Sequence, residues 1–227
     1  YGQRQQISAQ RDELAAQAEA LKDAGRRKDV LLLEINHRIK NLFSVTAGLI
    51  SLSAQSSSSV KELAADLRSR LHALARAHDL TLPDLGNNDG TEAKTTVVTL
   101  MEAILAPHEH EEASRIAISG SDAPLSGNAL TSLALLLHEL ATNAAKYGAL
   151  ASTSGQLTIE IATVGELLHV NWDERGSTPS AEAVACEGFG TILEKAVLKS
   201  MGGTISRDWQ SDGLSLSLRL PLANLAT

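Results

Sequence analysis

Cysteine is almost missing: Cys186 is the single one among 227 residues, which excludes an internal disulfide framework and a thiolate metal cluster. There is no block of lysine and arginine, and the formal charge is -7. Such a balance argues against a non-specific nucleic-acid binder, which must neutralise phosphates. Long apolar runs are absent too, all falling far short of the roughly 20 residues that span a bilayer, and no signal peptide is visible. Aromatics contribute 3%, within the composition of a soluble globular protein. Cytoplasmic placement, no membrane segment and no nucleic-acid partner are the resulting expectations. The chain opens at Tyr1, without an initiating Met and inside a helical pattern, as a piece of a longer polypeptide would.

What is present begins with helix. Residues 3–28 are rich in Ala, Gln, Glu and Arg, and Ile7, Leu14 and Leu21 recur every seven positions. This is a thin coiled-coil seam or a solvent-exposed helix, with Gly25 as its weak point. A second helical run, about 29–54, carries Leu32, Ile35, Ile39, Leu42, Thr46 and Leu49 at spacings of 3 and 4, a stripe expected to face a core. His37 lies roughly 200° around the helix from Ile35 and points away from that stripe, on the side of Glu34, Asn41 and Ser44. An imidazole with a pKa of about 6.5 on an open face is reachable and deprotonated at neutral pH; it is equally compatible with plain surface.

Gln55 and the serines 56–59 interrupt the pattern and supply an N-cap. Val60 to Leu80 then resumes it through Leu63, Leu67, Leu71, Leu74 and His78. Two helices joined by a short turn predict an antiparallel hairpin, which pairs into a four-helix bundle if dimeric. Arg76 and Asp79 are expected to hydrogen-bond across the hairpin or to the next domain. Residues 82–94 hold Pro83, Gly86, Asn87, Asn88, Asp89 and Gly90, a linker signature. Beyond it lie a β-like stretch at 95–98, a helix near 100–106, a strand at 115–119 and a long helix from about Ser126. Strands follow at 156–163 and 167–173, then a helix at 190–201 and strands at 204–209 and 214–220. Helices mixed with mostly antiparallel strands imply an α/β sandwich with helices on one face.

The helix from Ser126 is apolar along Leu130, Leu133, Leu137, Leu140 and Ala144, and polar near its end: His138, Glu139, Asn143, Lys146, Tyr147. Glu139 and Asn143 sit one turn apart. A carboxylate and an amide so spaced can hold a hydrated hard cation through oxygen, and Lys146 can meet phosphates that the cation bridges. A solvated helix face would read the same way.

The wording of three separated stretches goes further. His138-Glu-Leu-Ala-Thr-Asn-Ala-Ala-Lys-Tyr-Gly, Trp172-Asp173-Glu174 and His37-Arg-Ile-Lys-Asn41 resemble, in order, the N box, the Trp-x-Glu element and the H box of the HWE family of sensor histidine kinases. The resemblance runs from about Asp29 to Leu222. It implies an α+β chain in two domains: residues 1–28 a helical linker from a missing sensor, 29–81 a dimerisation and phosphotransfer hairpin, 82–94 a linker, and 95–227 a catalytic domain of the Bergerat ATP-binding fold. It implies ATP and Mg2+ as cofactors, phosphorylation of His37 with Glu34 orienting its imidazole, and transfer to an aspartate on a response regulator receiver domain. Asn143 would hold the metal, with Glu139 orienting its water or the acceptor proton, and Lys146 would balance phosphate charge. Tyr147 and His138 would complete the nucleotide site, His138 supporting phosphates or packing under the lid. Glu174 would accept from the adenine amine beside the close-approach Gly176, and Gly188 and Gly190 would hold phosphates at a helix start. A homodimer is the expected assembly. Two departures stand out: Arg38 follows His37 where commoner histidine kinases carry an acid, and Ser177 stands where the family has a second glycine. Without the adjacent acid, phosphatase activity is not implied. A Bergerat-fold ATPase switch and a non-catalytic scaffold that binds a response regulator are the alternative readings.

Overall fold

The computed structural model describes residues 2–56, 59–80, 95–109, 114–177 and 189–226. The side chains of 2–10, 12, 31, 34, 37, 38, 52, 55, 56 and 189 also lie outside the described set. The chain divides into two compact units, Tyr1–Gly48 and Leu49–Thr227. The expected linker at 82–94 lies outside the described residues, as does nearly all of 177–187, the lid that the family resemblance implies.

The first unit is helical. The helix α1 (Gly2–Ser56) runs without interruption where two successive helical runs were expected, because Gly25 sits among strong helix formers and lacks only a side chain, not the N–H that a proline would remove. The anticipated core stripe is not covered by the described residues: Leu32, Ile35, Ile39 and Leu42 are 36–51% exposed. Leu49, at the start of the second unit, is the buried member of that stripe.

The second unit begins with the last two turns of α1 and α2 (Val60–Asp79), whose first turn is capped by the Ser59 hydroxyl accepting from the Glu62 N–H at 3.2 Å. The buried face of α2 is Arg70, Ala73, Leu74 and Ala77. Of the expected stripe of Leu63, Leu67, Leu71, Leu74 and His78, Leu74 is buried as expected, Leu63 and Leu67 are half-buried, and Leu71 and His78 are exposed. Two alanines at i, i+4 spacing beside Leu74 instead let the helix approach its neighbours closely.

A short helix α3 (Val97–Leu105) lies where a helix was expected near 100–106 and also takes the second half of the stretch 95–98 expected to be β-like. Its valines favour strand, but Thr96 and Thr99 form a reciprocal capping box that starts the helix at Val97. The five-stranded sheet then follows in the order β1-β2-β3-β5-β4. β1 (Ile116–Gly120) is parallel to β2 (Gln156–Val164), and β3 (Leu167–Arg175), β5 (Gly213–Pro221) and β4 (Thr204–Gln210) continue antiparallel. Alternation puts Leu157, Ile159, Ile161, Leu168, Val170, Trp172, Leu216, Leu218 and Leu220 on one buried face. The helices α3, α4 (Gly127–Tyr147) and α5 (Phe189–Met201) form the second layer, with α4 against both of the others. No helix among the described residues is long and apolar enough to cross a membrane.

Candidate functional site

The stripe Leu130, Leu133, Leu137, Leu140 and Ala144 of α4 is buried throughout, at 0–6% exposure. Fixing that stripe on the core turns the polar residues near the helix end toward α2, α5 and solvent. Asn143, Lys146 and Tyr147 are exposed there.

The helix α2 meets this polar end along three contacts. Arg70 donates Nε to Glu139 Oε1 at 2.8 Å and Nη2 to Oε2 at 3.5 Å. Ser69 Oγ lies 3.1 Å from His138 Nε2, and Lys146 Nζ lies 3.9 Å from Asp66 Oδ1. Arg70 also donates Nη1 to Ser53 Oγ of α1 at 2.9 Å, with Ser53 fully buried. The expected bridging residues Arg76 and Asp79 are not the ones that make these links: Arg76 Nε is buried without a partner among the described residues, and Asp79 is exposed. The link is Arg70. Its signal was present in the sequence as an arginine at the i−3 and i−4 positions of Ala73 and Leu74, a charge on an otherwise apolar face that needs a buried partner.

His138 is 4% exposed, and its Nδ1 has no partner among the described residues. Burial, helped by the positive charge of Arg76 and then by His108, Arg70 and Lys146, lowers its pKa to about 4. The ring is therefore neutral near pH 7. His108 is lowered as well, by burial and by Arg76.

At the far end of α4 the site continues into β3. Glu174 is 4% exposed. Its Oε1 accepts from Trp172 Nε1 and its Oε2 from the Ala149 N–H, both at 2.9 Å. Burial raises its pKa, and those two hydrogen bonds act in the opposite direction. Gly148, which ends α4, leaves the room this carboxylate needs: a Cβ there would lie 1.9 Å from Glu174 Oε2. Gly176 takes φ +78°, and a Cβ on it would meet the Gly155 backbone at 3.1 Å. Trp172 is 1% exposed and packs in the core rather than lining an opening.

Gly190, in the first turn of α5, faces Glu139: a Cβ on it would sit 3.4 Å from Oε2. The structure thus gathers His138, Glu139, Asn143, Lys146 and Tyr147 on one helix, with Gly190 beside Glu139 and Glu174 against Gly148. Gly188 and the side chains of Glu34 and His37 lie outside the described residues; the backbone of both latter residues is helical in α1. No group of three His, Cys, Asp or Glu among the described residues forms a metal site by itself. Any cation held by Asn143 and Glu139 would complete its shell from phosphate and water oxygens.

A family model described as HWE histidine kinase matches residues 34–122. The chain is 32% identical over 191 residues to the blue-light-activated histidine kinase 1 of Erythrobacter litoralis, covering 83% of this chain and 52% of the relative. It is 32% identical over 196 residues to the blue-light-activated histidine kinase of Rhizobium johnstonii, covering 85% and 53%. The chain thus spans about half the length of the curated relatives it matches. In fold it is similar to the Erythrobacter litoralis EL346 blue-light-activated histidine kinase, with a TM-score of 0.60 at 16% identity over 86% of this chain and 60% of that one. The histidine kinase domain of the same EL346 protein gives 0.54 at 12% identity, over 81% and 96%.

Proposed function

This chain belongs to the HWE family of histidine kinases and carries the family's catalytic core, and from that premise we propose that it phosphorylates His37 from ATP and passes the group to an aspartate of a response regulator. Its architecture is an N-terminal helical region followed by the Bergerat-type α/β sheet domain. The observation that supports the reading most is the convergence at the two ends of one helix segment: Glu139 beside Gly190, and Glu174 beside Gly148.

The donor set suits Mg-ATP. Carboxylate and amide oxygens with a lysine are hard ligands and a phosphate counter-charge, and the glycines at 148 and 190 let the Glu174 and Glu139 carboxylates lie close against the backbone. When bound, Mg-ATP supplies the transferable γ-phosphoryl group and the cation that offsets its charge. In our reading Asn143 and Glu139 hold the cation and its water, and Lys146 neutralises phosphate oxygens. Tyr147 flanks the nucleotide, and Gly188 and Gly190 present backbone N–H groups to phosphates. Glu174 has one further lone pair on each oxygen after its two structural bonds, enough to accept from the adenine amine, with Gly176 turning the chain just beyond it. His138, neutral and tied to Ser69, supports the helix under the phosphates. Glu34, one turn before His37, orients the acceptor imidazole. A receiver domain is the proposed partner, and a sensor region of the same polypeptide the proposed input.

Incubation with Mg2+ and γ-labelled ATP tests this. The label should survive base and be lost in acid, as a phosphoramidate does. His37→Gln should abolish it with nucleotide binding retained, and Asn143→Ala should abolish it through the cation. Phosphate on another histidine, such as His78, overturns the acceptor assignment. Turnover of ATP without phosphohistidine points to an ATPase switch, and absence of both binding and turnover to a scaffold.

A further inference from the structure

Glu139 is the carboxylate that the proposed reaction needs, yet it is already engaged. Its side chain is 13% exposed and that of Arg70 is 7%. Two nitrogens of one guanidinium face its two oxygens at 2.8 and 3.5 Å. A carboxylate held in that fork has its charge offset and its lone pairs directed at the guanidinium, so it is a poor ligand for a cation. The third nitrogen used by Arg70, Nη1, is bound at 2.9 Å to the hydroxyl of Ser53 in α1. Arg70 therefore stands between α1 and α4, with two of its nitrogens on the Glu139 carboxylate of α4 and a third on Ser53 of α1. Earlier along α2, Asp66 reaches Lys146 and Ser69 reaches His138, so the contact is a zipper in which each partner on α4 is a proposed site residue.

We propose that Arg70 is a positioning residue that holds Glu139 out of the reaction, and that release of this fork, controlled through Ser53 by the last turns of α1, is the step that makes the site competent. The inference rests on the functional reading given above. It assigns a role to α1 beyond carrying His37: a shift of its last turns loosens or tightens Arg70 through one buried hydroxyl, and Arg70 passes the change to Glu139. The hydroxyl and the fork are both almost fully shielded from water, which is what makes the link stiff enough to transmit.

Three variants and two readouts test it. Ser53→Ala cuts the α1 tie and leaves the Arg70–Glu139 pair in place; Arg70→Met removes the fork. Amide hydrogen exchange on the ligand-free protein should rise about tenfold over residues 66–74 and 138–146 in Arg70→Met and by a smaller factor in Ser53→Ala, with the sheet unchanged. The initial rate of phosphohistidine formation should rise several-fold in the same order, and Arg70→Lys, which keeps the charge but not the fork, should fall between wild type and Arg70→Met. A folded Arg70→Met protein that labels more slowly than wild type overturns the proposal, since Arg70 would then be needed for transfer. Unchanged exchange in Ser53→Ala overturns the α1 link, and this decides the matter even where Arg70→Met does not fold. If wild type forms no phosphohistidine, the functional reading fails, while the exchange arm still reports whether Ser53 and Arg70 restrain α4.

Discussion

Trp172 donates its indole N–H to Glu174 Oε1 at 2.9 Å, a bond between two residues of one strand that point to the same face. The other carboxylate oxygen takes the Ala149 N–H, so the end of β3 is stitched to the turn that follows α4. Glu174 is therefore a structural acceptor as well as the proposed reader of adenine.

Replacing Glu174 with alanine should lower both stability and nucleotide affinity. Two buried donors lose their acceptor, each at about 1–3 kcal/mol, and ATP should bind roughly 10 to 100-fold more weakly. Asp173→Ala should do much less, because Asp173 lies on the opposite face of β3 and is half-buried. Thermal unfolding and calorimetric titration of both variants check this. A larger loss of affinity for the Asp173 variant would move the adenine contact by one residue.

Gly148→Ala should be destabilising by about 1–3 kcal/mol, the cost of overpacking. The backbone conformation there is open to any residue, so the effect comes from space alone: the new methyl would lie 1.9 Å from Glu174 Oε2 and 3.0 Å from Ala144 Cα. Gly25→Ala is the contrasting case, with nothing within 4 Å, and should raise helix content by circular dichroism, worth about 0.5–1 kcal/mol. Equal effects at the two positions would count against the packing described around Glu174.

His138 makes stability depend on acid. Folded, it takes a proton only near pH 4 instead of its usual 6.5, so between those values the unfolded chain holds more protons and folding weakens as pH falls. The difference amounts to roughly 3 kcal/mol. Around it stand Ser69, Arg70 and Arg76 of α2, His108 after α3 and Lys146 of α4. His108 acts in the same direction, while Glu174, whose pKa is raised, favours the folded state as pH falls. Denaturant melts at pH 7 and pH 5 should therefore show a smaller acid loss in His138→Gln than in wild type. An identical loss in both would remove His138 as the cause.

The open face of α1 predicts a homodimer. Leu32, Ile35, Ile39 and Leu42 present a continuous apolar stripe at helical spacing, which a second copy can cover in a four-helix arrangement. Light scattering at micromolar protein should give twice 24.0 kDa, and Ile35→Asp with Ile39→Asp should return the monomer mass. A single mass of 24.0 kDa across a tenfold dilution would rule the dimer out.

Periodicity and turn chemistry determined most of the fold. Alternation and turn signals located the five described strands to within two residues, Ser126 marked the start of α4, and the stripe Leu130 to Ala144 is buried as its spacing demanded, because those signals are local. The caps at Thr96 and Thr99 were equally local, but valine's strand preference masked them. The proposed set of Glu139, Asn143 and Lys146 rests on the spacing of one helix face, whereas Glu174 joins it only through the resemblance of Trp172-Asp173-Glu174 to the family's element. What the sequence could not determine was which groups those side chains meet. The fork of Arg70 on Glu139 joins positions 69 residues apart, and the bond from Ala149 to Glu174 depends on where α4 ends against β3. Partner choice across such distances is set by how α2 and the sheet pack around α4, and a buried charge takes the partner that packing brings to it.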